Sequence, residues 1–332
     1  MLLVTIIIPT YLRSGCLLDT VRDCCKQDYL AREVVVVDQS PFHDKETRDI
    51  LSSWHENGQI RRVQLRKPAV NFARNLGAAL SNGDLLLFLD DDVRIPSDLL
   101  SKHVDFHRTH LPNGLVGGVQ DTKGNNPSRQ QNPNPHFFCG CSGGHFSVKR
   151  DIFIALGGFD ESFSGSCIYE DMDLGARWHT LGFPLTRDPN IVLTHLQEPT
   201  GGNRIGGAPG RPEWSYSVGY FHYGLRHIRP LSSLMLFLLK IFRRIALRRG
   251  NIKNPFLFLY GIASCFGGIV VATSRYRKGF RSSLVAPGVD QLRTRYGYAN
   301  DAPPEYRASE TGVSQPKEIR SGVMPAAQGK VV

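Results

Sequence analysis

The chain has 332 residues, 41% hydrophobic and 21% charged, ordinary values for a globular protein with one large domain or two modest ones. Its net charge of +10 is unevenly spread: no Asp or Glu occurs between Glu213 and Asp290, a stretch that holds Arg226, Arg229, Lys240, Arg243, Arg244, Arg248, Arg249, Lys253, Arg275, Arg277, Lys278 and Arg281. The seven cysteines are odd in number and lack paired metal spacing, which argues against a disulfide scaffold or a zinc module and for free thiols in a reducing compartment.

Met1 to Pro9 is apolar, but it has neither the basic region nor the small-residue cleavage site of a signal peptide, so the catalytic part is expected in the cytoplasm. Within it, Leu3 to Ile8 reads as a buried strand ending at Pro9. Gly15 to Gln27 has helical spacing. Glu33 to Val37 reads as a second buried strand, ending in Asp38, Gln39 and Ser40. Thr47 to His55 follows as a helix, Ile60 to Leu65 as a strand and Asn71 to Ser81 as a helix with Gly83 just past its end. Asp84 to Leu89 is a fourth strand that runs straight into Asp90, Asp91 and Asp92. Alternating strands and helices predict an α/β fold with a Rossmann-like, mostly parallel sheet and helices on both faces. Ligands of such sheets bind beyond the carboxyl ends of the strands, where Pro9 to Tyr11, Asp38 to Ser40 and the three aspartates converge.

A loop is expected from Gln120 to Pro135. Gly143 to Val148 then reads as a strand, Arg150 to Leu156 as a short helix, Gly157 to Asp160 as a turn, Glu170 to Leu181 as a helix with an acidic start, and Ile191 to His195 as a strand. Thr200 to Pro212 is rich in Gly and Pro. Leu231 to Phe242 is apolar but too short to span a bilayer. Pro255 to Thr273 has no charge and about the length of a spanning helix, with basic residues on both sides; interfacial or re-entrant attachment is the favoured expectation. The composition after Ala299 predicts a disordered tail. The expected organisation is one α/β domain over 1–215 in two halves (1–118 and 119–215), a helical, membrane-associating segment over 216–298, and the tail over 299–332.

Three aspartates in a row repel one another and need a cation or strong donors nearby. Hard divalent ions such as Mg²⁺ and Mn²⁺ take carboxylate oxygens and often bridge to a diphosphate, whereas the plainer reading is an acidic loop before Val93. Asp38 suits either a turn or a base contact. Glu170, Asp171 and Asp173 suit either a helix start or a general base near an acceptor hydroxyl. His195 ends an apolar strand and suits either an edge position or a metal site shared with carboxylates.

Taken in order, the segments VTIIIPTY, VVVVDQS, NFARNLGAALSNGDLLLFLDDD, GGFDESF, YEDMDLGARWHTLG and the strand end at His195 make the chain resemble a family 2 glycosyltransferase with the GT-A fold, from about Val4 to His195. The resemblance implies an inverting hexosyltransferase-type enzyme using a nucleotide-sugar donor, with UDP or dTDP as the nucleotide. Pro9, Thr10, Tyr11, Asp38 and Ser40 would hold the nucleoside, with Asp38 on the base. Arg74 and Asn75 would lie near the nucleotide or its supporting helix, and Asp90 and Asp91 beside the ribose or a metal-bound water. Asp92 and His195 would ligate Mg²⁺ or Mn²⁺. Asp171 matches the catalytic base, with Glu170 second. Two features depart from the usual pattern: KPAVNFARN lacks a glycine before Asn71, and His145 stands where a small or amide residue is common.

A glycan or lipid-linked acceptor in polysaccharide, cell-wall or glycolipid synthesis is implied, with the basic, apolar C-terminal third holding the enzyme to the anionic inner face of the cell membrane. A sugar nucleotidyltransferase would want a Gly-rich phosphate loop after the first strand, and PTYLRSG is a poor match. A nucleic-acid binder fits the positive charge, but the long apolar runs suit lipid better, so no nucleic acid is expected as partner. A glycosyltransferase-like protein without turnover is the remaining alternative.

Overall fold

The run VTIIIPT carries no polar alternation because both of its faces are covered. In the computed structural model it forms β1 (Val4–Thr10), buried at every position. Ile6 and Ile8 join one core with Leu17 and Val21, while Ile7 joins the opposite core with Phe88 and Phe146. The structure is described for residues 1–110, 114–125, 141, 143–163, 169–180, 185–202, 214–247 and 249–284.

Along the chain β1 is followed by α1 (Gly15–Cys25), β2 (Arg32–Asp38), α2 (Lys45–Glu56), β3 (Arg61–Gln64), α3 (Val70–Ala79) and β4 (Leu85–Leu89). β2 and β4 flank β1 in parallel, and β3 adds to β2 in parallel. Asp44 caps α2 by accepting from the Thr47 N–H at 2.8 Å. Each of these elements matches the sequence reading to within a few residues.

The second half is less regular. β5 (Val93–Arg94) and α4 (Leu99–Thr109) precede β6 (Gly114–Gln120), β7 (His145–Lys149), α5 (Arg150–Ala155), α6 (Glu170–Thr180) and β8 (Leu185–His195). The eight strands lie in the order β3-β2-β1-β4-β7-β6-β8-β5. β7 runs antiparallel to β4 and β6, and β5 antiparallel to β8, so the mostly parallel sheet becomes mixed at this end. The sequence reading passed over β5, α4 and β6, and β8 starts earlier than the expected Ile191. The expected loop at 126–135, the Gly- and Pro-rich residues 203–212 and the tail over 299–332 lie outside the described residues.

α7 (Trp214–His227), α8 (Leu231–Ile245), α9 (Arg249–Ile252) and α10 (Pro255–Lys278) complete the order. The boundary expected between 215 and 216 falls inside α7, and the described residues belong to one compact unit. The physical reason is a buried ion cluster. Asp173 on α6 accepts from His227 Nε2 at 2.7 Å and Arg226 Nη1 at 3.2 Å on α7, and from Arg177 Nε at 2.8 Å. Burial alone would raise the Asp173 carboxyl, yet His227, Arg177 and Arg226 hold it far below the usual range. Arg226 also pairs with Asp160 in the GGFDESF turn. Removing α7 would take His227 and Arg226 from Asp173, leaving it Arg177, and would take Arg226 from Asp160.

α4 places His103 and His107 one turn apart against β7. The rings of His103 and His145 meet at 3.0 Å between their Nε2 atoms. Ser147 Oγ lies 2.7 Å from His103 Nδ1 and 2.8 Å from His107 Nε2, and Gly118 O lies 3.0 Å from His145 Nδ1. His145 therefore points into the core beneath the sheet, on the face opposite Phe146, rather than toward the strand ends. Burial pushes His107 and His145 down to about 4 and His103 down as well.

A histidine held neutral in this way binds its proton only after the unfolded chain has done so. Its contribution is whole above the unfolded value of about 6.5 and is lost as pH falls toward the folded value. Relative to His107→Gln, the wild-type protein is expected to lose about 1.4 kcal/mol of stability per pH unit between about pH 6.5 and 4.5. Urea unfolding of both proteins across that range measures the difference; parallel pH profiles would contradict it.

Candidate active site

The site is assembled by register. β5 begins immediately after the aspartate run and pairs antiparallel with β8, with Val93 opposite His195. Leu196 N–H donates to Asp92 O at 2.8 Å, which fixes the two chains side by side. His195 Nε2 then lies 3.1 Å from Asp92 Oδ1 and 3.9 Å from Asp90 Oδ2. Ligand atoms of Asp90, Asp92 and His195 all lie within 4.8 Å of one another. Two carboxylates and one imidazole in reach of a single point are a donor set that suits Mn²⁺ or Mg²⁺, so the residues present fit the expected ion.

The aspartates alternate in direction, as residues at a strand end do. Asp91 turns inward: it is buried and accepts from Thr10 Oγ1 at 2.6 Å. Burial, reinforced by the charges of Asp92 and Asp90, raises its carboxyl to about 7. Asp92 accepts from Arg13 Nη1 at 2.8 Å and from the Glu198 N–H at 3.1 Å. Burial would raise Asp92, but His195 and Arg13 outweigh it and hold the carboxyl well below its ordinary value. Arg13 is itself buried between Asp91 and Asp92. The sequence reading passed over this residue. The cue was present, as a buried triple aspartate demands a cation and Arg13 is the first arginine after β1.

Several residues expected on the nucleotide have side chains that bond within the protein. Thr10 spends its hydroxyl on Asp91. Ser40 accepts from the Leu12 N–H at 2.9 Å and is buried. Pro9 is buried within β1, opposite Val37. Asn75 donates to Phe159 O and Glu161 Oε1, each at 2.9 Å, and accepts from the Phe159 N–H at 2.8 Å, so it clips α3 to the GGFDESF turn. The side chains of Asp91, Thr10, Ser40 and Asn75 are thus engaged within the protein, at the rim of the sheet or on α3. Tyr11 is part-exposed at the end of β1.

Asp38 is fully buried at the end of β2. It accepts from Arg62 Nη2 at 2.7 Å and from the Ser40 N–H at 3.0 Å, and its Oδ2 lies 2.8 Å from His43 Nε2. Burial opposes its charge, yet His43 and Arg62 keep the carboxyl below its usual range. His43 and Arg62 were not singled out by the sequence, since nothing in their spacing ties them to Asp38.

Arg74 joins the two halves of the site. Its Nη1 donates to Glu170 Oε1 at 3.2 Å, and its Nη2 lies 3.9 Å from Asp90 Oδ1. Gly143 and Gly144 permit this approach: a Cβ on Gly143 would crowd the Arg74 guanidinium, and one on Gly144 would overlap the Asp90 carboxylate. Asp171 follows Glu170 at the start of α6 and accepts from the Met172 N–H at 2.8 Å. Burial, with the neighbouring Glu170 charge, pushes Asp171 up to about 7. A carboxyl poised there can accept a proton near neutral pH, which an ordinary carboxylate does poorly. Asp173, by contrast, is committed to the ion cluster with α7.

Residues 5–165 match the family model described as Glycosyl transferase family 2. A validoxylamine A glucosyltransferase of Streptomyces hygroscopicus subsp. jinggangensis is 27% identical over 224 residues, 55% of this chain and 53% of the relative. The chain thus spans about half the length of the curated relatives it matches. Among solved structures, S. aureus TarS superposes with a TM-score of 0.51 at 16% identity over 75% of this chain and 44% of TarS. TarS 1-349 in complex with UDP-GlcNAc gives 0.50 at 15% identity, over 84% of this chain and 92% of that one. The mannosyltransferase PcManGT from Pyrobaculum calidifontis, in complex with GDP-Man and Mn²⁺, gives 0.50 at 17% identity, over 88% and 78%. The mixed sheet with β7 turned antiparallel, the aspartate run at the end of β4 and the family match over residues 5–165 lead to one assignment: the chain carries a family 2 glycosyltransferase domain with the GT-A fold.

Proposed function

We propose that the protein is an inverting glycosyltransferase that moves a sugar from a uridine or thymidine diphosphate sugar to a hydroxyl of a glycan or lipid-linked acceptor in polysaccharide, cell-wall or glycolipid synthesis. The observation that carries this reading is the bridge made by Arg74 between the Asp90–Asp92–His195 group and the Glu170–Asp171 pair. A diphosphate site and a general base are thereby held within one side chain of each other. The nucleotide sugars named with TarS 1-349 and PcManGT, and the Mn²⁺ named with the latter, support a donor and an ion of these classes.

Asp92 and His195, with Asp90 beside them, would hold Mg²⁺ or Mn²⁺. Such an ion supplies positive charge to the departing diphosphate. Asp171 takes the proton of the acceptor hydroxyl as its oxygen bonds to the anomeric carbon. The bond from that carbon to the β-phosphate oxygen breaks in the same displacement, and the nucleoside diphosphate leaves with the electron pair. One in-line displacement inverts the anomeric centre, so no side-chain nucleophile is required. Arg74 holds Glu170 aside and leaves Asp171 as the base.

Calorimetric titration with UDP, dTDP and GDP, with and without Mn²⁺, tests the two halves separately when run on Asp92→Ala and Asp171→Asn. Asp92→Ala is expected to lose metal-dependent nucleotide binding. Asp171→Asn is expected to keep it and to lose turnover by roughly 10²–10⁴-fold. Wild-type activity is expected to fall as pH drops through about 7, where Asp171 takes up its proton. A folded wild-type protein that binds none of the nucleotides with either metal condition would overturn the reading.

A further inference from the structure

α8 and α10 present large apolar side chains to solvent. On α10, Phe256 is 82%, Phe266 66% and Val270 68% exposed, and Leu259 lies on the same stripe. These positions recur at helical spacing along one side of the helix, so they form a continuous strip. On α8, Met235 and Leu239 are one turn apart and exposed. Exposed apolar strips of this extent are uncommon on a protein surface and mark a contact.

The opposite side of α10 is different. Gly261, Ser264, Cys265, Gly268 and Ala272 are buried, and the helix packs on α7. A Cβ on Gly268 would crowd Ser217 of α7, whose hydroxyl donates to Ser264 O at 2.7 Å. At its far end Arg275 donates to Ser162 O at 2.6 Å. α10 is long and apolar enough to cross a membrane, but one face is fastened along its length to a helix that is itself tied into the ion cluster with α6. That attachment leaves a single face for lipid, the arrangement of a helix lying in the interface plane.

The charge around the strip supplies the partner's sign. Lys240 and Arg243 on α8, and Arg277 and Lys278 at the end of α10, are exposed. No acidic residue lies between Glu213 and Asp290 to offset them. We propose that α8 and α10 form a monotopic docking face that seats the catalytic unit on an anionic phospholipid bilayer, with the apolar strip entering the acyl boundary and the basic residues meeting lipid phosphates. The inference does not rest on the transfer reaction, because it concerns a face remote in composition and chemistry from the carboxylates.

The face also borders the acceptor half of the site. Arg244 of α8 lies 5.6 Å from the Tyr220 ring, and Tyr220 meets Tyr169, the residue before Glu170, at 4.6 Å between ring centroids. Docking through this face would keep the Asp171 side of the site close to the bilayer.

Co-sedimentation of the full chain with vesicles of phosphatidylcholine alone, or of equal parts phosphatidylcholine and phosphatidylglycerol, tests the proposal. Three proteins are compared: wild type, Phe256→Ser/Phe266→Ser/Val270→Ser, and Lys240→Glu/Arg243→Glu. Circular dichroism and nucleotide titration establish that each is folded. Wild type is expected to bind the anionic vesicles and bind phosphatidylcholine more weakly. Each variant is expected to bind the anionic vesicles at least about tenfold more weakly. A folded wild type that stays in the supernatant with both vesicles would overturn the proposal. So would a wild-type dimer that the apolar variant converts to a monomer while neither protein binds lipid, because the strip would then belong to a second copy. Nucleotide binding is read independently, so failure here leaves the catalytic reading standing.

Discussion

Three consecutive carboxylates at the end of a fully buried strand are the constraint around which this structure is arranged. β4 delivers them to the rim of the sheet, where Asp91 and Asp92 are buried and solvent relieves little of their mutual repulsion. The protein divides the problem. Asp91 is turned inward, protonates more readily and bonds to Thr10. Asp92 is neutralised by Arg13 on one side and His195 on the other. Asp90 remains part-exposed, next to Arg74. The result is one pair of carboxylates and one imidazole facing a common point, with the remaining charge absorbed by the fold.

That arrangement depends on strands that are distant in sequence. His195 reaches Asp92 only because β5, two residues long, pairs with the end of β8. β8 is in turn held beside β6, which pairs with the antiparallel β7. The second half is anchored separately, by Asn75 to the GGFDESF turn and by Asp173 and Asp160 to α7. Arg74 spans the two halves, with the adjacent glycines at 143 and 144 leaving room for it.

The sequence disclosed the first half of the fold well, because β1, β2 and β4 are buried on both faces and so appear as unbroken apolar runs. It disclosed less of the second half for physical reasons. β6 reads GLVGGVQ and has few β-branched residues, and one of its glycines lies where His145 leaves no room for a side chain. α4 carries two histidines among its eleven residues, both buried where apolar residues would be expected, which weakens the helical pattern. α7 carries Gly, Tyr and His on buried positions and is recognised only by its partners on α6. At the site, Asp90, Asp92, His195 and Asp171 were singled out as candidates at strand and helix ends, and the family resemblance, not residue type, separated their roles; the structure brings Asp90, Asp92 and His195 together. The internal bonds of Asp91, Ser40 and Asn75 were not legible, because a run of polar residues does not reveal which of them faces inward. Arg13, His43 and Arg62 are defined by pairing across the sheet, which no local pattern encodes.

The central claim is that Asp92 and His195 act together as ligands of one divalent cation. Anomalous diffraction from crystals grown with Mn²⁺ and UDP addresses it directly. The account predicts a manganese peak within coordination distance of the Asp92 carboxylate and His195 Nε2, with the diphosphate beside it. An ordered nucleotide with no manganese at that point, and Asp92 still paired only with Arg13 and His195, would contradict it.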